Sequence, residues 1–549
     1  MVYYSTVQKG SLLRRYNRLL SRYSTHRHEL SLAQIADTLA CTSRYARSLL
    51  HEMQEQGWLI WRSRPGRGVL GVLQCQMSVS ALENLLSSGD APSTEVKNAP
   101  VKESAFYSSD GFRYFISFYR PLQAPVPSIH IDRAGRHILQ MVHAGLTRHI
   151  PEQVEPIPGL AHTIRVSDDG LSWHFMLRRG LVWHNGEPLE PAQLKVVLQR
   201  HAGGPGLPHV VNVIQQDYVL ILHLRQPDVM LRYRLASPVY ALAHPENGII
   251  GLGPFQLRSH SDVQMTLTRA PGWYGETPQA SEIVYETPLA AAPLPAVVRL
   301  DTPRSLLTTE AVTTHDNADA FYYLSFNYLR GRVNLAQQSV IRLITLSLSR
   351  ALAEREETLA PLPEWLQPEK EPSTQALLPG TLNIAYFRST EMKKLVDELA
   401  KSLRYRGCTV NMKPISVTHW LLPDESWEEQ DLCLGFLRLE QHEAFSLEER
   451  YRHSVMWPWF WGQPTWSRGL RLLDHINAGP ASRYSQRVKR MMRYVSAHRW
   501  IVPLFAQRYR LVTPACIHNV FCFPQSWPDF TRIWTDERQE EGGTTLNTE

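Results

Sequence analysis

The chain has 549 residues, 43% hydrophobic and 20% charged, an ordinary globular balance that supports more than one buried core. It holds no run of 18 or more apolar residues, and Met1–Leu20 is polar and arginine-rich, so neither a membrane span nor a secretory leader is expected. The net charge of +6 is unevenly placed: residues 1–75 carry eleven basic side chains against four acidic ones, a surplus of seven that leaves the rest of the chain near −1. A small basic module ahead of a large neutral one is the charge distribution of a protein that meets nucleic acid at one end.

The first amphipathic segment runs from about Ser11 to Tyr23, with Leu12, Leu13, Tyr16, Leu19, Leu20 and Tyr23 on one helical face. A second helix starts at the N-cap residue Ser31 and turns Leu32, Ile35, Ala36 and Leu39 inward. After the turn Ala40–Thr42 a third helix carries Ala46, Leu49, Leu50 and Met53 and is closed by Gly57. Two short helices, a tight turn and a third helix make a helix-turn-helix. The third helix is then the reader, presenting Ser43, Arg44, Arg47, Ser48 and His51 outward with Tyr45 at the flank; arginine there can pair bidentately with guanine in the major groove.

Past Gly57 the pattern changes to strand formers. Trp58–Trp61 and Val69–Leu73 are expected strands around the arginine-laden turn from Arg62 to Gly68, a β-hairpin wing whose Arg62, Arg64 and Arg67 are placed for phosphates or the minor groove. The expected partner is double-stranded promoter or operator DNA. The Ser-, Ala- and Pro-rich stretch at 87–111 reads as a linker, which sets the domains at 1–86 (winged helix-turn-helix), 112–535 and a disordered tail at 536–549.

The large region mixes strands and helices. Phe115–Phe118 and Leu171–Leu177 read as strands, Ile138–Leu146 as a helix, and Asn185-Gly186 as a tight turn. Leu382–Phe387, Glu391–Arg406 and Thr409–Val417 spell strand, helix, strand, a βαβ unit that implies a parallel sheet. The fold class is therefore multidomain: a small α+β winged helix-turn-helix followed by a large α/β domain.

Three segments in order, Ser172-Trp-His-Phe-Met-Leu-Arg-Arg-Gly-Leu-Val-Trp-His-Asn-Gly-Glu-Pro-Leu189, Gly251-Leu-Gly-Pro-Phe255 and Tyr323-Leu-Ser-Phe-Asn327, resemble those of family 5 solute-binding proteins, the peptide- and nickel-type binders of ABC importers. With the third helix (Cys41–Leu50), Gly57-Trp58-Leu59, Gly66-Arg-Gly68 and Tyr119-Arg-Pro-Leu122, the chain resembles the SgrR family of regulators over about residues 5–535. The resemblance implies a cytoplasmic transcription factor whose two-lobed, periplasmic-binding-protein-like domain senses a small molecule of the sugar phosphate, oligosaccharide or peptide class. It places one lobe at about 112–375 with a return near 500–535, and the smaller lobe at 380–500. Hinge closure would be the signal. The residues it points to in the cleft are Tyr119 and Arg120; Trp459, in the aromatic run Met456–Trp461, is a candidate for stacking on a sugar ring or for lobe packing. The segment Cys433–Trp461 departs from the peptide-binder pattern.

Two other readings fit the same features: a solute-binding component of an importer, and a DNA-binding protein whose large domain only assembles. No GxSxG, P-loop or GxGxxG occurs, His51-Glu52 lacks the second histidine of a zinc protease helix, and no zinc-ligand spacing is present, so no enzyme, metal or cofactor is expected. Glu428-Glu429 and Glu448-Glu449 are expected to be solvated helix faces. The six cysteines are scattered and read as reduced thiols; the oligomeric state is open.

Overall fold

The computed structural model describes residues 15–16, 19–20, 22–23, 28–39, 41–55, 58–62, 70–75, 111–118, 121–150, 153–287, 297–302, 312–368, 375–439, 442–521 and 527–536. The chain divides into two compact units near residue 102.

The first unit holds strand β1 (His28–Leu30), helices α1 (Leu32–Thr38) and α2 (Ser43–Glu55), and strands β2 (Leu59–Arg62) and β3 (Gly71–Cys75). α1 begins at a reciprocal capping box: the Gln34 amide donates to Ser31 Oγ at 3.2 Å, and the Ser31 amide donates to Gln34 Oε1 at 2.8 Å. α2 buries Ala46, Leu49, Leu50 and Met53, the stripe that the spacing predicts. β2 and β3 pair antiparallel, Leu59 opposite Cys75 and Arg62 opposite Val72; the turn between them, residues 63–69, lies outside the described residues. Residues 15–16, 19–20 and 22–23 are helical, and buried Tyr16 meets Trp58 edge to face at 5.6 Å. β1 is an addition to the sequence reading. Three residues are too few to show alternation, and the strand exists because β3 offers it a partner, with His28 opposite Leu73. The sheet order is β1-β3-β2, that of a winged helix-turn-helix.

The second unit opens with β4 (Phe112–Ser117) and α3 (Arg133–Val142). β5 (Ala161–Val166), β6 (Ser172–Leu177), β7 (Val210–Gln216) and β8 (Val219–Leu224) form an antiparallel sheet of order β5-β6-β8-β7, onto which α4 (Pro191–His201) packs Leu194, Val197 and Leu198; α5 (Leu231–Ala236) follows. Next come β9 (Phe255–His260), β10 (Gln264–Arg269), β11 (Ala280–Glu286), β12 (Val297–Asp301), β13 (Val312–Phe326), α6 (Leu335–Arg355), β14 (Thr381–Phe387), α7 (Thr390–Tyr405), β15 (Thr409–Ile415) and β16 (Leu432–Arg438). Helices α8 (Glu443–His453), α9 (Trp457–Trp461), α10 (Gln463–Asn477) and α11 (Ala481–Ala497) lead to the closing strand β17 (Val502–Pro514). These strands make one eleven-stranded sheet of order β9-β10-β11-β4-β12-β17-β13-β16-β14-β15, with Leu359–Ala360 pairing beside β17.

The βαβ unit is present: β14 and β15 run parallel with Thr381 opposite Thr409, and α7 buries Met392, Leu395, Leu399 and Leu403 against them. The helix expected at Ile138–Leu146 instead starts at Arg133 and stops at Val142. Asp132 caps it, its carboxylate accepting from the Gly135 amide at 2.9 Å. The lobe boundary also moves, from the expected 375–380 to the middle of β13. β13 pairs with β17 along its length, Val312–Asn317 on the outer half and Ala320–Leu324 on the inner half, and its inner residues Ala320–Phe326 pair on the other side with β16. β12 divides in the same way, Val297–Arg299 on β17 and Leu300–Asp301 on β4. Strands of this length serve both lobes at once. α6 belongs with the second lobe, since Ile341 and Leu346 share a core with Leu395 and Leu399 of α7.

The signature glycines have a packing cause. A Cβ on Gly251 would stand 1.9 Å from the Val142 carbonyl oxygen, and one on Gly253 would stand 2.5 Å from the Val142 carbonyl carbon. His184 ties the first signature to the second: its amide donates to Gly251 O at 3.1 Å, and its Nε2 lies 3.0 Å from Gly253 O.

Candidate functional site

In the first unit the inward stripe of α2 forces the opposite stripe outward, and Ser43, Tyr45, Arg47, Ser48 and His51 are all exposed. α2 is held at both ends. The Tyr45 amide donates to Thr42 Oγ1 at 3.4 Å, and the Trp61 amide donates to Gln54 Oε1 at 2.7 Å, joining the helix to β2. Tyr45 is 46% exposed yet fixed: Arg15 stacks its guanidinium 4.8 Å from the ring centroid and donates from Nη1 to the Tyr45 hydroxyl at 2.5 Å. Arg15 is the residue that the sequence reading missed, because it sits on the first helical segment, thirty positions away. The backbones of Arg44 and Arg62 lie on α2 and β2 while their side chains lie outside the description, as do Arg64 and Arg67 altogether. An exposed helix face bearing a guanidinium, hydroxyls and an imidazole is equipped to donate to base edges and phosphates.

In the second unit a cavity of about 170 Å³ lies between the lobes. Its first-lobe wall is Phe118 and residues 129–134; its second-lobe wall is built from Tyr323, Phe387, Trp420, residues 436–438 and residues 453–457, with Tyr509 of the bridging strand β17 between them. The lining is aromatic with cations set into it. Arg133 lies over the Tyr509 ring at 4.0 Å and Arg438 over the same ring at 4.3 Å; Arg450 also lines the space. Among the described residues Asp132 is the single acid of the lining, and its carboxylate accepts at the α3 cap. His453 carries no charge there: burial pushes its imidazole down to about 3, and its Nε2 meets the Tyr240 hydroxyl. A ring-walled space with arginines suits an anionic ligand with a flat or apolar body.

Of the residues expected to hold ligand, Tyr119 and Arg120 lie outside the described residues, directly after Phe118 of the lining. Trp459 is half-buried against the helical core, and it is Trp457 that reaches the cavity, stacked on Trp461 at 4.7 Å.

Glu448 and Glu449 are not solvated. Both are buried on α8 and join the lobes beside the cavity. Glu449 accepts from Arg136 of α3 at 2.9 Å and from Ser237 at 2.6 Å. Glu448 accepts from Arg234 of α5 at 2.5 Å, from Arg452 at 2.6 Å, from Asn477 at 2.6 Å and from Tyr484 at 2.5 Å. Arg234 also pairs with Asp228 at 2.8 Å, and Arg452 with Asp474 at 2.8 Å. Burial alone would raise the two carboxyls. Arg234 and Arg452 beside Glu448, and Arg136 beside Glu449, outweigh it and hold both at about 2. In sequence, α8 alternates acids and bases as a surface helix does, and only the fold shows that both lobes close over it.

Among the described residues no group of three or more His, Cys, Asp or Glu side chains is placed to hold a metal ion, and no helix is long and apolar enough to cross a membrane.

Residues 11–90 match the family described as the N-terminal region of sugar transport-related sRNA regulators, and residues 155–293 match the middle region of the family 5 bacterial extracellular solute-binding proteins. The chain is 26% identical over 562 aligned positions to the uncharacterized protein YbaE of Escherichia coli K12, spanning 95% of this chain and 98% of that one. It is 26% identical over 476 positions to the HTH-type transcriptional regulator SgrR of Yersinia pestis Pestoides F, spanning 79% and 84%. Among solved structures it is similar to the periplasmic binding protein AgaA of Agrobacterium tumefaciens in complex with agropinic acid, with a TM-score of 0.60 at 14% identity, over 78% of this chain and 99% of that one.

Proposed function

We propose that this chain, a regulator of the SgrR type with its N-terminal winged helix-turn-helix joined to a family 5 solute-binding domain, works in the cytoplasm as a ligand-responsive transcription factor. α2 reads operator DNA in the major groove through Arg44, Arg47, Ser48 and His51, the wing arginines Arg62, Arg64 and Arg67 grip phosphates, and the inter-lobe cavity takes a small anionic metabolite. The observation that carries the reading is the arginine-bearing, ring-walled cavity placed where β12, β13 and β17 bridge two lobes. A ligand touching Arg133 on one wall and Arg438 on the other favours the closed arrangement over any open one, which is the differential affinity that a switch requires. The chemistry is binding and switching, with no catalytic step.

The test has two arms on the full chain. Duplexes are selected from a random pool and footprinted; a defined site protected by the wild type and lost in Arg47→Ala supports the reader, and absence of any preferred sequence sinks it. Thermal shift is then measured against sugar phosphates, oligosaccharides, short peptides and carboxylated sugars. A ligand at a hundred times its Kd adds about 2.7 kcal/mol to the stability of the domain that holds it. A shift by an anionic class that Arg438→Ala abolishes supports the sensor; a blank across all classes leaves an assembly domain.

A further inference from the structure

The net charge of +6 conceals a second basic region. Residues 463–500, which contain α10, α11 and the turn after them, hold eight basic side chains and a single acid, a surplus of seven that equals that of residues 1–75; everything else in the chain carries a deficit of eight. α11 contains no acidic residue at all. Its buried stripe is Tyr484, Val488, Met491, Met492 and Val495. The opposite stripe is Arg483, Arg487, Arg490 and Arg493, at successive spacings of four, three and three, which places all four on one face. Arg483, Arg490 and Arg493 are exposed, as are Arg468 and Arg471 on α10.

These arginines are not spent on the fold. Among the described residues the one cation of α11 with a carboxylate partner is Lys489, at the edge of the stripe, held by Glu443 at 2.6 Å and lying over the Trp365 ring at 4.7 Å. Among the described residues no carboxylate stands within ion-pair distance of Arg468, Arg471, Arg483, Arg490 or Arg493. Like charges at i, i+3 and i+4 oppose helix formation, so a bare guanidinium stripe is carried against its own repulsion. A long polyanion relieves that repulsion along its length, and arginine suits phosphate oxygens.

We infer that the Arg483–Arg493 face of α11 is a second DNA contact, binding backbone phosphates without reading sequence. The inference rests on the reading of this chain as a DNA-binding regulator. Once the first unit has engaged a duplex, the same molecule supplies α11 with phosphates at high effective concentration. This surface lies in the unit that carries the ligand cavity, so DNA is able to report on the sensor unit as well as on the reader.

The experiment measures affinity of the full chain for a long random-sequence duplex as a function of salt, for the wild type, for the triple variant Arg483→Gln/Arg490→Gln/Arg493→Gln and for the same three positions changed to Lys. Each lost phosphate contact reduces the slope of log K against log salt by about 0.9, so the glutamine variant should be shallower by roughly 2 to 3 and bind about tenfold or more weakly at moderate salt, while the lysine variant keeps the wild-type slope. Because the three side chains are exposed, neither variant should melt below the wild type, and the glutamine variant, relieved of the repulsion, should melt at or slightly above it. An unchanged slope in the glutamine variant overturns the inference, as does a variant that keeps its DNA slope and loses binding to phosphatidylglycerol vesicles, which would make the face a membrane contact. If Arg47→Ala abolishes sequence preference while the glutamine variant behaves as wild type, the regulator reading stands and this inference alone falls. If the wild type does not bind DNA, both fall.

Discussion

The chain uses arginine in two opposite ways, and the contrast between α2 and the lobe junction shows how to tell them apart. On α2, Arg47 stands exposed on a face that has no carboxylate partner for it among the described residues. At the junction, Arg234 is almost wholly buried and held by Asp228 and Glu448, while Arg136 is held by Glu449. A guanidinium left in water with no internal partner costs the fold little and is available to an outside anion. A guanidinium taken out of water must be matched inside the protein, and its removal strands the groups around it. The first kind should change binding and spare stability; the second should do the reverse.

The largest effect expected from a single substitution is at the junction. Glu448→Gln leaves Arg234, Arg452 and Tyr484 without the carboxylate they share, and should destabilise the second unit by about 3–5 kcal/mol, read as an earlier denaturant midpoint. The same substitution in an Arg234→Met background should cost much less than in the wild type, because the stranded cation is gone. Additive losses would mean that the two groups do not form one network.

Acid tests burial from another direction. His137 and His143 are buried, and that burial lowers their imidazoles to about 3 and about 4. Both values lie below the unfolded value of about 6.5, so between pH 6.5 and about 4 the unfolded chain binds protons that the native chain refuses, and stability falls with pH. Each group withdraws about 1 kcal/mol over the first pH unit below 6.5, where its unfolded imidazole goes from half to nearly fully protonated, so a drop from pH 6.5 to 5.5 should cost about 2 kcal/mol through these two histidines. Replacement of His143 by Gln should flatten that pH profile; an unchanged profile would remove this histidine from the account.

At the surface the expected effect is smaller and of the other kind. Arg47→Ala should weaken binding to the selected operator by about 1–3 kcal/mol, roughly tenfold to hundredfold, with the melting temperature unchanged. A loss of stability equal to the loss of binding would place Arg47 with the structural arginines and break the contrast.

How far the sequence alone reaches follows the same division. The helix-turn-helix is legible because its helices are short, capped and half-buried, so Ser31, Ala46, Leu49 and Met53 mark it locally. The βαβ unit is legible for the same reason, in the stripe Met392, Leu395, Leu399, Leu403. What depends on distant partners is not. β1 exists only against β3, Arg15 finds Tyr45 across thirty residues, and Glu448-Glu449 has the composition of a solvated helix yet is enclosed by α3, α5 and α11. The lobe boundary lies hidden inside β13, since a long strand shared by two lobes reads the same as one that belongs to a single lobe. The cavity shows the limit most sharply: the aromatic run Met456–Trp461 announces rings, but the winding of α9 decides that Trp457 faces the space while Trp459 packs on the helical core.

The finest test separates positioning from contact on the reader face. Tyr45 accepts a hydrogen bond from Arg15 and lies under its guanidinium, so the pair fixes one flank of α2. Tyr45→Phe removes the hydroxyl and keeps the ring, and should weaken operator binding by only about 0.5–1 kcal/mol, because the ring–cation contact survives. Arg15→Ala removes both parts of the contact together with a charge near the DNA and should cost more. If Tyr45 acts by holding Arg15, the double variant should be no weaker than Arg15→Ala alone, since a hydroxyl with nothing to hold has nothing left to lose. If the two losses add in full, Tyr45 touches DNA in its own right, and the flank of α2 is a second point of contact instead of a brace for the first.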